Sequence, residues 1–177
     1  MITIYFEPHS TTTDNEAHLA SGWNDIDLSD EGVKLLKEQW PERYKDRKID
    51  AIFCSDMQRS YKCGALIAKD KPVPIFIDTR LRECNYGEMT QKDKKLVDAE
   101  KAKRISIPFP GGESYEQCMM RMGDFLAMLR SEYEGKTVVI IGHRATQYGL
   151  EHHIKGKDIL TCVTEPWAYQ PGWTYKL

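Results

Sequence analysis

Two histidines and one arginine lie where candidate strands end. His9, Arg59 and His143 each follow closely on a short run of Ile, Val, Phe and similar residues. Such runs predict buried strands, because β-branched and aromatic side chains suit a pleated surface. Ligands of open α/β sheets bind beyond the carboxyl ends of the strands. We therefore expect the three side chains to meet at one edge of a sheet, where imidazole and guanidinium groups suit anion chemistry.

Phosphoryl chemistry fits these residues better than a metal centre does. The close Cys or His pairs that typically bind zinc are missing, and His152 and His153 are adjacent, so they point to different faces of a helix. Glu83 is a further candidate, as a carboxyl group that could exchange a proton. Taken singly, each residue has an ordinary alternative, such as a buried structural histidine or a solvated arginine.

The elements that position these residues alternate between strand and helix. Pro8 is expected to stop the first strand, because proline has no N–H, and this places His9 just past its carboxyl end. Ser29 is expected to cap the first long helix. Alternation of this kind predicts an α/β fold, a three-layer α/β/α sandwich with a mostly parallel central sheet.

Between these elements, the sequence predicts several further segments. Ser10 to about Ile26 is a polar loop, and the lysine-rich stretch from Gln91 to Arg104 is a solvated helix and a candidate lid over the cleft. Apolar periodicity predicts helices from Glu113 to Tyr133 and from about Thr146 to Ile154. The aromatic tail from Pro166 onward is expected to pack as an irregular edge.

Composition excludes several classes of partner. The chain has 177 residues, of which 41% are hydrophobic, and residues 1–177 are expected to form a single globular domain. A formal net charge of −2 gives no broad positive field for nucleic acid or a membrane surface. Any anion must therefore be bound by a local group of side chains.

Cysteine usage and hydropathy predict a cytoplasmic protein. Five widely spaced cysteines without a C-x-x-C pair suit reduced thiols that fill the core. We see no signal segment and no apolar run near the ~20 residues of a membrane span.

Several separated motifs, in order along the chain, resemble the histidine phosphatase superfamily, the phosphoglycerate mutase-like proteins. The resemblance covers nearly the whole chain. The matching segments are Glu7-Pro8-His9-Ser10, in place of the family's Arg-His-Gly, then Asn15, Ser21-Gly22-Trp23, residues 55–59, residues 81–87 and Ile141-Gly142-His143. The implied fold is the phosphoglycerate mutase-like sandwich.

The resemblance also implies roles. His9 would be the nucleophile, forming a phosphohistidine while a backbone carbonyl holds its other ring nitrogen. Arg59 and His143 would neutralise phosphate oxygens, and Glu83 would protonate the leaving oxygen and then activate water. No metal or cofactor is implied. The residues expected to bind phosphate or substrate are Ser10, Asn15, Ser21, Gly22 and Arg144.

Pro8 is the main departure from the family pattern. It stands where the family has an arginine, and losing one donor to transition-state charge typically costs roughly 3 to 4 kcal/mol. Arg144 directly follows His143, and we hypothesise that its guanidinium replaces the missing one, against the alternative of an ordinary salt-bridged arginine.

Three functions are consistent with the sequence. The first is a phosphomonoester hydrolase acting through a phosphohistidine on a small phosphorylated metabolite. The second is a weak or inactive protein that binds a phosphorylated ligand or inorganic phosphate on the same fold. A phosphoglycerate-type mutase is disfavoured, because the chain between Glu83 and His143 is short for that branch. The substrate and the oligomeric state stay open.

Overall fold

A computed structural model describes residues 1–69 and 71–177. Its centre is a five-stranded sheet in the order β3-β2-β4-β1-β5. All neighbouring strands are parallel except β5, which runs antiparallel to β1. This confirms the predicted α/β fold with a mostly parallel sheet. The strands are β1 (Thr3–Pro8), β2 (Ala51–Cys54), β3 (Ile75–Ile77), β4 (Thr137–Gly142) and β5 (Trp173–Lys176).

The helices occupy the connections between the strands. They are α1 (Thr13–Glu16), α2 (Asp30–Tyr44), α3 (Gln58–Ala68), α4 (Lys94–Glu100), α5 (Tyr115–Glu132), α6 (Arg144–Lys155) and α7 (Ile159–Thr164). Ser29 caps α2 as predicted, accepting from the N–H of Gly32 at 3.1 Å. The polar loop after β1 is not structureless, because Thr12 caps the short helix α1. Helix α7 was not predicted.

Two hydrophobic layers enclose the sheet. On one face, Phe6 and Ile140 pack against side chains of α5, such as Phe125, and against α6. On the other face, Val139 and Ile141 pack against α2 and α3. Adjacent residues of a strand point to opposite faces, so both faces of β4 are buried and its sequence is continuously apolar. The three-layer architecture follows from these two cores.

Pro8 is the last residue of β1 rather than a residue beyond it. The N–H of His9 donates to the carbonyl of Gly142 on β4 at 3.0 Å, whereas that of Ile2 points the other way, to Leu177. By alternation, the nitrogen of residue 8 faces β5, whose pairing ends at Phe6. No ladder bond is lost there, which explains why a proline is tolerated.

The tail is a strand and not the irregular edge that we predicted. Residues 173–176 pair with β1 in antiparallel register, and Trp173, Thr174 and Tyr175 are residue types that favour strands. Gly172 precedes them at a φ of +77°, a conformation that glycine adopts freely.

The five cysteines are all buried and unbridged. Within the described chain, none of the helices combines the length and the apolar character needed to cross a bilayer.

Candidate active site

A cavity of about 660 Å³ opens at the carboxyl ends of β1 and β4. All nine residues that the sequence marked as candidates line this one cavity. They are His9, Ser10, Asn15, Ser21, Gly22, Arg59, Glu83, His143 and Arg144. The topology brings them together from five separate segments, as expected for strands that end at the same edge of a sheet.

His9 has a defined tautomer. Its Nδ1 lies 2.7 Å from the backbone carbonyl of Ser10, as the resemblance implied. A carbonyl can only accept, so Nδ1 carries the proton and Nε2 keeps its lone pair. Burial and the nearby Arg59 guanidinium lower the pKa of His9 to about 3. The ring is therefore neutral near pH 7 and available as a nucleophile.

His143 lies beside it, with the two ring centroids 5.1 Å apart. Its Nε2 is 2.8 Å from the hydroxyl of Ser55, while its Nδ1 is buried and has no hydrogen-bond partner. Burial, Arg59 and His9 lower its pKa well below the ordinary value. Gly142 allows the tight turn into α6, since a Cβ there would lie 2.4 Å from the hydroxyl of Thr146.

Arg59 is a buried cation at the start of α3, with only 1% of the residue exposed. Its two terminal nitrogens donate to the carbonyls of Gly22 and Asn24, each at 2.8 Å, and so hold the loop after α1 in place. Its Nε has no partner. Gly22 thus contributes a carbonyl that orients Arg59, in addition to lining the cavity.

Glu83 sits at the amino end of α6. Its Oε1 accepts from the N–H groups of Cys84 at 2.8 Å and Ala145 at 3.1 Å, and its Oε2 accepts from that of Arg144 at 3.2 Å. The positive end of the helix dipole also favours a carboxylate here. Because Oε2 has a single N–H donor, it retains a lone pair on which a proton can sit.

The backbone around Glu83 is held by Arg121 of α5, a residue that the sequence did not single out. One terminal nitrogen donates to the carbonyls of Arg80 and Arg82 at 2.7 and 2.8 Å, and the other to that of Glu83 at 3.0 Å. Its Nε pairs with Glu113 at 3.1 Å. A helical arginine gives no sequence signal for such a role, because its partners are carbonyls of a distant turn.

The same region contains one group of potential metal ligands, Cys84, Glu113 and Cys118. The guanidinium of Arg121 contacts Glu113 and lies 3.3 Å from the sulfur of Cys118. A cation already neutralises this carboxylate, so the group is poorly suited to a metal ion.

Ser10 and Asn15 line the cavity, but their side chains have partners within the fold. The hydroxyl of Ser10 donates to the carbonyl of Gly32 at 2.8 Å. The side-chain oxygen of Asn15 accepts from the N–H of Thr12 at 3.1 Å as part of the cap of α1. These contacts build the loop, and the anion contacts expected of both residues stay predictions.

Arg144 lines the cavity, with its guanidinium carbon 5.7 Å from the ring centre of Tyr148 and 5.3 Å from that of Trp167. It lowers the pKa of the buried Lys101, after burial itself, whereas Arg59 is the charge that lowers the pKa of His9. Arg144 thus shares the ring of Tyr148 with Lys101, whose Nζ lies 5.9 Å from the ring centre. Its role as a replacement for the missing arginine stays a prediction.

Three residues that line this cavity each have one buried polar atom without a hydrogen-bond partner. These atoms are Arg59 Nε, His143 Nδ1 and Arg144 Nε, out of six such atoms in the described part of the chain. Buried polar groups are nearly always hydrogen-bonded, and an unpaired one costs about 1 to 3 kcal/mol. Their concentration around a neutral imidazole indicates a site for a ligand that accepts hydrogen bonds.

Comparisons with known proteins agree with this architecture. The model of the histidine phosphatase superfamily (branch 1) matches residues 4–163. Phosphoserine phosphatase 1 of Hydrogenobacter thermophilus is 24% identical over 167 residues, which cover 90% of this chain and 79% of that protein. YhfR of Bacillus stearothermophilus superposes with a TM-score of 0.81 at 21% identity, covering 96% of this chain and 87% of that one. A mycobacterial glucosyl-3-phosphoglycerate phosphatase gives 0.78 at 22% identity, covering 91% and 82%.

Proposed function

The chain belongs to the histidine phosphatase superfamily (branch 1), and on that premise we propose that it is a phosphomonoester hydrolase working through a phosphohistidine at His9. Phosphatases are named among its relatives, with phosphoserine as the substrate of one and glucosyl-3-phosphoglycerate as that of a structural neighbour. The substrate of this chain is a small phosphorylated compound that fits the cavity.

The observation that carries the proposal is the set of unpartnered donors beside His9. Arg59 Nε and His143 Nδ1 are buried without partners, and both residues line the cavity with the free Nε2 of His9. If the hydroxyl of Ser55 donates to His143 Nε2, the proton of His143 sits on Nδ1, which is then a donor. A phosphoryl group placed there supplies the acceptors that both nitrogens lack.

In the first step, the lone pair of His9 Nε2 attacks phosphorus and the bond from phosphorus to the leaving oxygen breaks. The carbonyl of Ser10 keeps the Nδ1 proton in place and stabilises the positive charge that the ring acquires. Arg59 and His143 interact with the charge on the equatorial oxygens. Glu83, in its protonated form, gives its proton to the leaving alcohol.

In the second step, water replaces the alcohol. The carboxylate of Glu83 accepts a proton from water as the oxygen attacks phosphorus, and the bond from nitrogen to phosphorus breaks. Inorganic phosphate leaves and His9 regains its neutral form. The backbone N–H groups that hold Glu83 keep its carboxyl group in one orientation through both transfers.

The proposal is tested by looking for the covalent intermediate. The wild-type protein, quenched during turnover of a ³²P-labelled phosphomonoester, should carry an acid-labile, alkali-stable label, and His9→Ala should carry none. His152→Ala is the matched control, because that ring bonds the carbonyl of Lys157, outside the cavity. Label retained in His9→Ala, or turnover without any label, would contradict the mechanism.

Pro8 favours a second candidate, a phospho-ligand-binding protein with little or no turnover. The residue lines the cavity and supplies neither a guanidinium nor an N–H. Saturable binding of phosphate, with no product from a panel of phosphomonoesters, would support this alternative. Transfer of the label to a second hydroxyl, in place of water, would instead support a mutase.

A further inference from the structure

One part of the cavity wall is formed by a buried lysine, Lys101, that has no part in the steps above. Lys101 follows α4 and only 6% of it is exposed, although it is charged. Its Nζ lies 2.7 Å from Asp98 Oδ1 and 3.4 Å from the hydroxyl of Tyr148. Lysines are almost never fully buried unless they are paired, and Asp98 supplies the pair here.

A second cation flanks the same tyrosine. Lys101 Nζ is 5.9 Å from the ring centre of Tyr148, and the guanidinium carbon of Arg144 is 5.7 Å from it. Arg144 makes no ion pair within 4.0 Å with any acidic side chain in the described residues, and its Nε is buried without a partner. The rings of Tyr148 and Trp167 restrict the guanidinium, so it is preorganised for a planar acceptor.

The local charge balance is positive. Lys94 and Lys101 both pair with the one carboxylate of Asp98, and Arg144 adds a third positive charge. Glu83, the other acidic group that lines the cavity, is held by backbone N–H groups. Two positive charges in a buried wall repel each other, and Arg144 together with burial lowers the pKa of Lys101. An anionic ligand would remove that repulsion.

This wall is distinct from the proposed phosphate position. The guanidinium of Arg59 is bonded to the carbonyls of Gly22 and Asn24. Lys101 and Arg144 instead lie beside the ring of Tyr148. The cavity of about 660 Å³ is of a size that holds a whole small-molecule ligand and not a phosphate group alone. One molecule can therefore reach both groups of cations.

We propose that Lys101 and Arg144 form a leaving-group subsite that binds a second anionic group, so the preferred substrates are phosphomonoesters whose leaving alcohol carries a carboxylate or another phosphate. This inference rests on the proposed function in one respect, namely that the bound molecule is a substrate with a leaving group. The subsite itself requires only that a ligand binds with one anionic group near Arg59 and another near Lys101.

A pair of isosteric substrates tests the subsite. The esters 3-(phosphonooxy)propanoate and 3-(phosphonooxy)propanamide have nearly the same shape, but an uncharged NH2 group in the amide replaces one oxygen of the carboxylate. Hydrogen bonds to charged groups typically contribute enough for about a 10- to 100-fold preference, and we expect kcat/KM to favour the carboxylate by that factor. Propane-1,3-diyl bisphosphate in the same assay distinguishes a carboxylate from a second phosphate.

Two variants and one control locate the effect. Lys101→Met keeps the apolar stem and removes the charge, and Arg144→Gln removes the guanidinium, so each should reduce the preference for the carboxylate at least fivefold. The control is Lys103→Met, because Lys103 is 60% exposed, pairs with Glu100 and does not line the cavity. Its preference should equal that of the wild type. Circular dichroism establishes that each variant folds. If Lys101→Met does not fold, Arg144→Gln alone tests the subsite.

Calorimetric binding of both compounds to His9→Ala separates this inference from the proposed function. Suppose that His9→Ala binds the carboxylate selectively, and that this selectivity disappears when Lys101→Met or Arg144→Gln is added. If the wild-type protein also shows no turnover, the subsite is sustained and the hydrolase is overturned. Equal affinity and equal turnover for the two compounds would overturn the subsite and leave the hydrolase standing. The subsite would also be overturned if Lys101→Met and Arg144→Gln both keep the preference for the carboxylate.

Discussion

The imidazoles of His9 and His143 lie 5.1 Å apart between ring centroids, at an interplanar angle of 58°. Each has one nitrogen engaged with the fold, His9 with the carbonyl of Ser10 and His143 with the hydroxyl of Ser55. Both residues line the same cavity. The pKa of each ring is lowered by burial and by Arg59. A bound anion would oppose the charge of Arg59 and so raise both pKa values.

Anion binding should therefore take up protons. We expect the affinity for sulfate, which keeps its charge from pH 7.5 to 5.5, to strengthen by up to about tenfold per pH unit as the pH falls, because a bound anion raises the pKa of a neighbouring imidazole. Calorimetry in buffers of different ionisation enthalpy measures the proton uptake. His152→Ala, outside the cavity, should behave as the wild type does. An affinity independent of pH would contradict the expected rise in the pKa of these imidazoles.

Without an anion, the same two histidines should destabilise the protein in acid. The pKa of His9 is about 3 in the folded state and about 6.5 in an unfolded chain, so between these values the unfolded state binds more protons. The free energy of unfolding should then rise with pH across this window, by up to about 1.4 kcal/mol per pH unit for each histidine.

Urea unfolding in anion-free buffer at pH 6.5, 5.5 and 4.5 measures this dependence. His9→Gln should show a shallower loss of stability than the wild type, since a glutamine has nothing to protonate. The comparison between the two proteins cancels the contribution of carboxylates. Identical slopes would show that His9 is not held neutral by the fold.

Two serines near the histidines should behave differently when their hydroxyls are removed. Ser55 holds Nε2 of His143, so Ser55→Ala should lower kcat about tenfold by freeing the ring. The hydroxyl of Ser10 is used by the carbonyl of Gly32, so Ser10→Ala should cost about 1 kcal/mol of stability and change kcat by less than about threefold. A larger kinetic effect at Ser10 than at Ser55 would instead indicate that the hydroxyl of Ser10 contacts the phosphate directly.

The effect of Pro8 on catalysis can be tested by a substitution that should raise kcat. The structure leaves the nitrogen of residue 8 facing beyond the end of β5, so other residues fit the backbone there. Pro8→Arg should raise kcat by at least about tenfold, because a guanidinium donor to transition-state charge is worth up to roughly 3 to 4 kcal/mol. Pro8→Ala, which removes the ring without adding a donor, is the control. Equal rates in the two variants would show that no donor is missing.

Much of this site could be predicted from the sequence because its residues follow buried strands. His9, Arg59 and His143 are fixed by where β1, β2 and β4 end, and apolar runs reveal those ends. Arg121 could not be found this way, since it acts through carbonyl groups of a turn that is distant in sequence. The same holds for Lys101, which reads as one of many lysines on a solvated helix until packing buries it.

The prediction of an irregular tail was wrong for a related reason. The pairing of β5 with β1 depends on long-range register, and a short aromatic segment after prolines carries little periodic signal. Arg144 was predicted at the right cavity, but its orientation over Tyr148 and Trp167 depends on where that tail lies.

Glu7, the residue before Pro8, offers a last test of how β1 is held. Its side chain is fully buried, and its Oε1 accepts from Arg43 at 2.6 Å and from the hydroxyl of Tyr44 at 2.8 Å, while Oε2 has no partner. Burial raises its pKa, and Arg43 opposes that rise. Arg43→Met should therefore cost about 3 to 5 kcal/mol of stability at pH 7, because it leaves a buried charge uncompensated.

The pH dependence identifies the cause. In Arg43→Met, a folded-state pKa of Glu7 above its unfolded value means that the folded protein binds the extra proton, so stability lost at pH 7 should partly return as the pH falls toward 5. Glu7→Gln in the Arg43→Met background should be more stable than Arg43→Met at pH 7 and should lack this recovery. Urea unfolding of the three proteins measures both effects. A loss in Arg43→Met that does not change with pH would instead point to lost packing of the arginine stem against Trp40, whose ring centre lies 5.9 Å from the guanidinium carbon.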